Sequence, residues 1–477
     1  MRHFRPSRAW LLAGAAVLAV PAVAAAQGSA VYTQSACMNA RNGAGIAAPC
    51  SDGSAVYYNP AALAVQNGAA SVGATVIEQS GTFTYDTSAL EIERPPRSIV
   101  VPHGYATWRP AERIGVGLGV WAPYGLSIDW PVCPPDQSRC ATNFEGRFVG
   151  YDQSLRALYF QPTVAYAVIP GLLSIGAGLD VVKGEVEIAR RIDLAGQPAG
   201  PFLFRDLGIP RGTDFADARV KGDAWGFTGH VGLLLELGAF SFGARYLHST
   251  RLDFEGDAEF RQVATGRTIG PLPPIVPAAV SLDEFILAAG TFDEGGAAAD
   301  QQFTASITMP AQAIVGVAVR LGPTMRIMAD YQWTQWSAWD EVDVDFSNDA
   351  TPDETLVFAY EDASTFRFGA DYAYSDRITL RAGYTRAQPA AGPASVSPFL
   401  PDSERAFFSG GISFRASERL SVDVFGMGVD AAARRGRVVN RPVGLTEDEA
   451  EALNEGLYTS EGTLFGATLS YHFGGPR

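Results

Sequence analysis

The sequence has few lysines and histidines, and no long apolar segment follows its first 26 residues. Lys183 and Lys221 are its only lysines, and its formal net charge is −15. That charge argues against a nucleic-acid partner, because such binding depends on clustered cations. The lack of any later run of about 20 apolar residues excludes a membrane-spanning helix beyond residue 26. The composition is nevertheless 47% hydrophobic with 51 glycines, which suits apolar residues spread over alternating strands.

The first 26 residues have the pattern of a secretory signal. Arg2, Arg5 and Arg8 precede an apolar core at 11–23, and three alanines at 24–26 form a small-residue cleavage site. The core is too short for a retained membrane helix. We therefore predict a signal peptide at residues 1–26, whose removal with its three arginines would leave a net charge of −18.

The four cysteines form two close pairs, Cys37 with Cys50 and Cys133 with Cys140. All four lie outside the apolar runs, and in an exported protein they suggest two small disulfide loops. Zinc is the alternative, but neither spacing has a nearby histidine. We predict two disulfides, no metal site and no cofactor.

Fourteen apolar, alternating runs are joined by connections that are alternately very short and about 10 to 40 residues long. An even-numbered antiparallel barrel in an outer membrane has this plan, with short periplasmic turns and long external loops. The sequence therefore predicts an all-β protein, a 14-stranded antiparallel transmembrane barrel over residues 71–477. The runs lie near 71–83, 97–109, 113–125, 153–168, 172–189, 217–237, 240–260, 301–319, 324–345, 357–374, 377–387, 402–415, 418–431 and 458–473.

The last run shows the alternation most clearly. Phe465, Leu469 and Tyr471 share one face, and Thr468 and Ser470 share the other. Period two with one apolar face is typical of a half-buried strand, and here the apolar face should meet lipid. At the external end of the ninth run a tryptophan cluster predicts an interfacial girdle, formed by Trp333, Trp336 and Trp339.

Residues 27–70 lack the strand rhythm and are rich in small and polar residues. We predict that this segment is a hatch housed inside the barrel, with a flexible periplasmic extension as the alternative. Inward strand positions carry both apolar and charged residues, so the lumen offers either a path for an apolar solute or a packing surface for the hatch. These positions are Met328, Leu247, Phe425, Met427, Asp180, Arg245, Asp330, Arg381 and Asp423.

The segment Asn59-Pro60-Ala61 resembles the hatch motif of the FadL family of outer-membrane transporters, which includes TodX-like members. The resemblance extends over the whole mature chain and implies the same 14-stranded barrel with an N-terminal hatch. It also implies passive uptake of long-chain fatty acids or aromatic hydrocarbons across a bacterial outer membrane. Further similar segments follow in order at 117–119, 124–126, 161–166, 222–226, 331–337 and 401–405.

The third run breaks at Pro123, Tyr124, Gly125 and Leu126. Proline cannot donate a hydrogen bond to the neighbouring strand, and the nearby glycine permits a bend. The simpler interpretation is that the strand reaches its external end here. The resemblance instead implies an inward kink that opens a lateral portal in the barrel wall. We expect Asn59-Pro60-Ala61 to pack near this kink.

Two external segments are unusually apolar. Exposed apolar patches mark interaction sites, and the resemblance implies a groove that first captures the ligand; the alternative is that the loops pack on each other as a cap. Ser281 and Glu284 form a capping box and predict a short helix, and 446–455 could form another, to which we assign no role. The capture candidates are Phe202, Phe204, Phe285, Ile286 and Leu287.

The resemblance offers Arg190 as a candidate for binding a ligand carboxylate, within a one-residue slip that would reverse its face. A second cationic position of the family falls near 341–345, which is acidic here. Because of this departure, neutral or aromatic hydrophobic compounds remain alternative ligands.

An enzyme would need a serine–histidine arrangement, yet the adjacent His248 and Ser249 point to opposite strand faces, so we predict no catalytic residues. A general porin or an aromatic-hydrocarbon-specific channel remains the alternative function. The sequence favours a monomeric bacterial outer-membrane transporter of hydrophobic small molecules, in contact with outer-membrane lipid and lipopolysaccharide.

Overall fold

Fourteen antiparallel strands close into a barrel in the computed structural model, which describes residues 34–133, 144–199, 201–271, 278–436 and 452–473. Each strand pairs with its neighbours in the chain, and the last strand pairs with the first from Gly68↔Phe473 to Tyr85↔Gly456. The predicted architecture is confirmed. In chain order the strands are β1 (Gly68–Tyr85), β2 (Glu91–Ala111), β3 (Ile114–Asp129), β4 (Asp152–Ile169), β5 (Leu173–Asp193), β6 (Asp214–Leu237), β7 (Phe240–Leu247 and Thr250–Gln262), β8 (Gln301–Met309 and Gln312–Leu321), β9 (Met325–Thr334 and Glu341–Phe346), β10 (Glu354–Val357 and Ala363–Ala373), β11 (Ile378–Ala387), β12 (Arg405–Arg415), β13 (Leu420–Ala431 and Arg434–Arg435) and β14 (Gly456–Phe473).

The period-two pattern assigns the two faces of β14 correctly. The side chains of Phe465, Leu469 and Tyr471 are exposed on the outside of the barrel, whereas Thr468 and Ser470 are buried inside. Exposed apolar side chains cover the outer surface because that surface faces lipid, and the backbone groups are satisfied by the closed ladder. All the mixed inward positions named above are buried or nearly so.

The connections differ in length at the two ends of the barrel, as expected. One end has only tight turns, while the other carries the long connections 130–151, 194–213, 263–300, 388–404 and 436–455. Two connections at the long-loop end are shorter than predicted, because 86–90 and 347–353 are hairpin turns. There the strands continue beyond the apolar runs with charged residues such as Glu91 and Glu354, which the hydrophobic pattern does not mark.

The prediction of an interfacial tryptophan girdle is wrong for two of the three residues. Trp336 and Trp339 are buried inside, and only Trp333 lies on the outward side of β9. The cause is a 3-10 turn at Trp336–Ala338, which interrupts β9 and resets the alternation of its side chains. Trp336 therefore packs edge-to-face against Tyr124, with ring centroids 6.0 Å apart.

Short helices occur in the lumen and in the loops. The segment before β1 contains α1 (Ala36–Asn39), α2 (Ala55–Tyr58) and a 3-10 helix (Pro60–Ala64), all buried. No helix in the described ranges has the length and apolarity that a membrane crossing requires. The predicted loop helix is confirmed as α3 (Leu282–Ala288), whose first turn is capped by the Ser281 side chain. Other short elements are 3-10 helices at Glu145–Phe148, Leu194–Gly196 and Phe204–Leu207, and two-residue strands at Pro198–Ala199, Phe202–Leu203, Thr268–Ile269 and Val280–Ser281.

A disulfide joins Cys37 of α1 to Cys50 and closes a loop within the hatch segment. Cys133 is also disulfide-bonded, whereas Cys140 lies outside the described residues. The predicted signal peptide and most of the acidic segment 446–455 also lie outside them.

Candidate functional site

The hatch, described here from residue 34 to residue 67, is fastened to the inside of the barrel by buried polar contacts. The Asp330 carboxylate of β9 accepts hydrogen bonds from the backbone N–H groups of Gly45 (2.7 Å) and Ile46 (3.0 Å). Arg41 forms an ion pair with Asp371 of β10 at 2.9 Å, and its side chain is 1% exposed. Buried groups of this kind are expensive to leave unpaired, so they fix the position of the hatch loop.

The motif Asn59-Pro60-Ala61 lies against β5 and β6, not beside the break in β3 as we expected. The Asn59 amide donates to the Leu233 carbonyl at 3.0 Å. Gly232 permits this approach, because a β-carbon there would lie 2.5 Å from the Asn59 side-chain oxygen. The sequence pattern could not identify this surface, since a hatch motif does not reveal which strands it contacts.

The break predicted at Pro123 is a bulge inside a strand that continues to Asp129. Opposite β4, Trp121 pairs with Tyr159 and Tyr124 pairs with Ala157, so β3 contains one extra residue there. A bulge of this kind bends its strand and disrupts the local ladder.

The barrel wall is open beside this bulge. Pairing between β2 and β3 runs from Ala111↔Ile114 to Gly104↔Val120 and ends there. Above that level, in a part of the wall that the structure describes completely, β2 pairs only with β1 and β3 pairs only with β4. The Gln79 side chain of β1 reaches across and donates to the Ser127 carbonyl at 2.5 Å. The result is a gap between two neighbouring strands.

Two residues of the hatch contact the bulge directly. The Gln34 side-chain amide donates to the Ala122 carbonyl (2.7 Å), and its oxygen accepts from the Ala122 N–H (3.2 Å). The Tyr57 ring lies 4.4 Å from the Trp121 ring, centroid to centroid. Gln34 therefore satisfies backbone groups that a regular ladder would satisfy, and the hatch is coupled to the bent segment.

The larger cavity, which we call the inner cavity, has a volume of about 1100 Å³ and continues through the wall gap. Its lumen side is formed by Asn39 and Asn42 of the hatch together with Phe407, Met427 and Leu464 of the barrel. At the gap it is lined by the predicted residues Tyr124, Gly125 and Leu126 and, on β2, by Ile99, Val100 and Val101. Its volume and these apolar side chains fit a hydrophobic molecule, and charged residues such as Arg94 and Arg405 also line it.

A second cavity of about 490 Å³, the outer cavity, lies towards the long-loop end. Phe148, Ile188 and Phe260 contribute apolar walls, and Arg190 lines it from β5. The Arg190 guanidinium is paired with the Glu354 carboxylate at 2.5 Å. Arg190 therefore lines a cavity, but its charge is already paired with that of Glu354. The sequence did not link these two residues.

Arg147 is another of the charged residues that line the outer cavity. Burial alone would lower the pKa of its guanidinium, but hydrogen bonds and charge interactions with Asp214 and Glu145 raise it. Its Nη2 lies 2.8 Å from Asp214. The Arg147 guanidinium is therefore permanently charged, and its ion pairs with Asp214 and Glu145 hold it in place.

The acidic segment 341–345 does not bring acids into the outer cavity. Val342 and Val344 are buried, and Val344 lines the cavity, whereas Glu341, Asp343 and Asp345 are exposed on the opposite face of β9. The segment 341–345 therefore contributes neither an acid nor a cation to the outer cavity.

The two apolar outer loops pack on each other. Phe204, Leu282 and Ile286 are buried in one cluster, and the Phe204 and Phe285 rings lie 6.4 Å apart. Only Phe202 (46%) and Leu287 (53%) among the capture candidates are largely exposed. The alternative of a packed cap therefore accounts for Phe204 and Ile286.

Sequence reasoning missed the external connection 388–404, which we call the inner loop. It folds into the barrel: Val396, Phe399, Leu400 and Asp402 are all buried. Its apolar residues follow neither the strand period nor the helix period, so no sequence pattern predicted their burial. The available signal was the presence of apolar residues such as Val396 and Phe399 in a loop. Among the described residues, no cluster of three or more histidine, cysteine or acidic residues is arranged to hold a metal ion.

Residues 16–473 match the family described as outer membrane protein transport protein (OMPP1/FadL/TodX). The long-chain fatty acid transport protein of Escherichia coli O6:H1 is 25% identical over 380 residues, which cover 76% of this chain and 74% of the relative. The 47 kDa outer membrane protein of Pasteurella multocida is 26% identical over 357 residues, with coverage of 74% and 75%.

Solved structures share the fold. A Pseudomonas aeruginosa FadL homologue superposes with a TM-score of 0.76 at 20% identity, covering 94% of this chain and 100% of its own. The Ralstonia pickettii toluene transporter TbuX gives 0.62 at 20% identity, with coverage of 92% and 98%.

Proposed function

The chain belongs to the outer membrane protein transport family (OMPP1/FadL/TodX), and from this premise we propose that it passively takes up hydrophobic compounds across the bacterial outer membrane. The substrates are long-chain fatty acids or aromatic hydrocarbons, the classes that the names of its relatives indicate. Transport, not catalysis, is its activity. Residues 1–26 direct its export, and the barrel acts as a monomer surrounded by outer-membrane lipid and lipopolysaccharide.

One observation carries the proposed route: the inner cavity leads into the gap between β2 and β3. On the outside of β2, Val100 is 61% exposed, and Leu158 and Phe160 face outward from β4. Apolar outward residues mark the depth of the hydrocarbon layer. A ligand that leaves through the gap therefore enters lipid without crossing water, which makes Pro123, Tyr124, Gly125 and Leu126 the edge of a lateral portal.

Uptake by whole cells tests the proposal. Cells that lack their own transporter of this type are given labelled oleate or labelled toluene, with and without the protein. We expect uptake of at least one probe above the empty-cell level. A failure with both, in cells whose heat-modifiable mobility shows a folded barrel, would refute the proposed substrate class.

The Arg190–Glu354 pair gives a test of carboxylate recognition. Glu354→Gln removes the competing acid and should strengthen oleate binding, whereas Arg190→Leu should weaken it by about tenfold or more, the effect of losing a charged hydrogen bond. Toluene, which has no charge, should bind equally to both variants and the parent. Equal oleate affinities across the three proteins would remove Arg190 as the head-group residue.

The exposed members of the outer-loop candidates test initial capture. Replacing Phe202 and Leu287 with serine should slow uptake by about tenfold or more at low probe concentration, because about 1.5–3 kcal/mol of burial per large side chain would be lost from the capture step. The effect should disappear at saturating probe. Phe204→Ala is the contrasting variant, because Phe204 packs in the cap; it should loosen the loops and increase their proteolysis.

A general porin is the second candidate, and it predicts steady ion conductance. The hatch contacts described above oppose that function, since they fill the lumen with fixed side chains. Conductance of the purified protein in planar bilayers separates the two, and a large constant current would favour the porin.

A further inference from the structure

We propose that the inner loop, residues 388–404, is a gate between the outer and inner cavities, and that ligand passes when its inward part leaves the lumen. This inference rests on the proposed function and extends it. The loop connects β11 to β12 at the long-loop end of the barrel and returns inward between them.

The loop lies between the two cavities. Phe399 lines the outer cavity, and the next residue, Leu400, lines the inner cavity. On the facing wall, Ile188 lines the outer cavity and Val186, one inward position below it on β5, lines the inner cavity. The two spaces therefore meet at the level of the Phe399–Leu400 backbone, and a ligand moving between them must displace it.

The neck of the loop is closed by polar contacts. The Asp402 carboxylate accepts hydrogen bonds from the N–H groups of Ala390 (2.7 Å) and Ala391 (3.2 Å). Arg434 donates to the Ala391 carbonyl at 3.1 Å. A compact loop whose ends are tied together has the form of an Ω-loop. Such a loop can swing as a unit without loss of strand pairing in β11 or β12.

The inward tip is held mainly by side chains of other elements. The Pro398 carbonyl accepts from the Gln153 amide (2.8 Å) and the Trp130 indole (3.2 Å). The Val396 carbonyl accepts from the Asn454 amide at 2.7 Å. These are single hydrogen bonds, each individually modest, so the closed position is stable but reversible. Trp130 directly follows β3, which borders the wall gap, and Gln153 lies in the neighbouring strand β4.

The volume of the tip explains why it obstructs passage. Phe399 packs against the Phe358 ring with centroids 6.3 Å apart. A β-carbon at Gly150 would lie 3.2 Å from the Phe399 ring, so the ring is in contact with the connection between β3 and β4. Residues 388–404 contain no helix or ladder strand of their own, and their one backbone bridge to another segment joins Ala391, at the neck, to Tyr360.

A reversible cross-link tests the gate. Gly150→Cys and Phe399→Cys are combined, and a short bis-methanethiosulfonate reagent joins them. We expect uptake of the probe that the parent transports to fall to the empty-cell level after cross-linking and to recover after mild reduction. Each single variant, treated alike, should keep its uptake. Parent-like uptake by the cross-linked protein would overturn the gate.

A second variant measures opening without transport, so that it remains informative if neither probe is a substrate. Val396→Cys places a thiol in a fully buried position that lines neither cavity. If the loop opens, a charged maleimide added outside intact cells should label it, and Gln153→Leu should increase the labelling rate about threefold to tenfold by removing one hydrogen bond. No labelling, or a rate insensitive to Gln153→Leu, would show a static plug.

Discussion

Uptake should fall to the empty-cell level when Gly125 is replaced by tryptophan, while the barrel still folds. Gly125 lines the inner cavity where it passes through the wall, beside the bulge in β3. An indole at this position would fill the passage between β2 and β3. Because β3 has no ladder with β2 at this level, the added volume should not break strand pairing.

The matched control is Gly428→Trp. Gly428 is a glycine of β13 with nothing within 4 Å of its β-carbon position, and it faces outward. It adds the same side chain to another part of the wall, and uptake should be unchanged. Heat-modifiable mobility and labelled-probe uptake are measured for both variants. Undiminished uptake by Gly125→Trp would dismiss the lateral portal.

The second large effect is expected from Asp330→Ala, which should loosen the hatch. The substitution leaves the N–H groups of Gly45 and Ile46 without their acceptor in a buried site. Each unsatisfied group destabilises the hatch position by about 1–3 kcal/mol. We expect frequent channel openings in planar bilayers where the parent is closed, together with faster proteolysis of the hatch.

Asp423→Ala is the control, which shows whether the loss of any buried acid in the lumen has the same effect as Asp330→Ala. Asp423 of β13 also faces the lumen, but its observed partners, Ser413 and Arg381, belong to the barrel. It should leave the closed state intact. If both variants conduct equally, the bonds from Asp330 to the hatch do not hold it, and general lumen disorder explains the current.

The strands were predictable because lipid and lumen impose opposite polarity on alternate residues. That rule correctly assigned Leu469 and Tyr471 to the outside and Asp330 and Asp423 to the inside. It failed where the backbone leaves the extended conformation, as at the 3-10 turn that carries Trp336 inward. Alternation is a local signal and does not continue across such an interruption.

The contacts of the site were less predictable because they join distant parts of the chain. Gln34 and Tyr57 touch the bulge, and Glu354 neutralises Arg190, yet none of these pairs is related by a sequence period. The inner loop is the strongest example. A single chain specifies that the loop is long and partly apolar, but not that the lumen has room for it.

The closing seam between β1 and β14 has a consequence for how the protein is built. Its partners stand at opposite ends of the barrel sequence, so joining them confines the longest loop that the barrel contains, and such closures are the slowest to form. The hatch binds that seam from inside, where the backbone N–H of Ala36 donates to Thr468 at 2.9 Å. We therefore expect the barrel wall to form around the hatch during folding. Insertion machinery that keeps β1 and β14 apart would leave time for the hatch to bind inside the barrel.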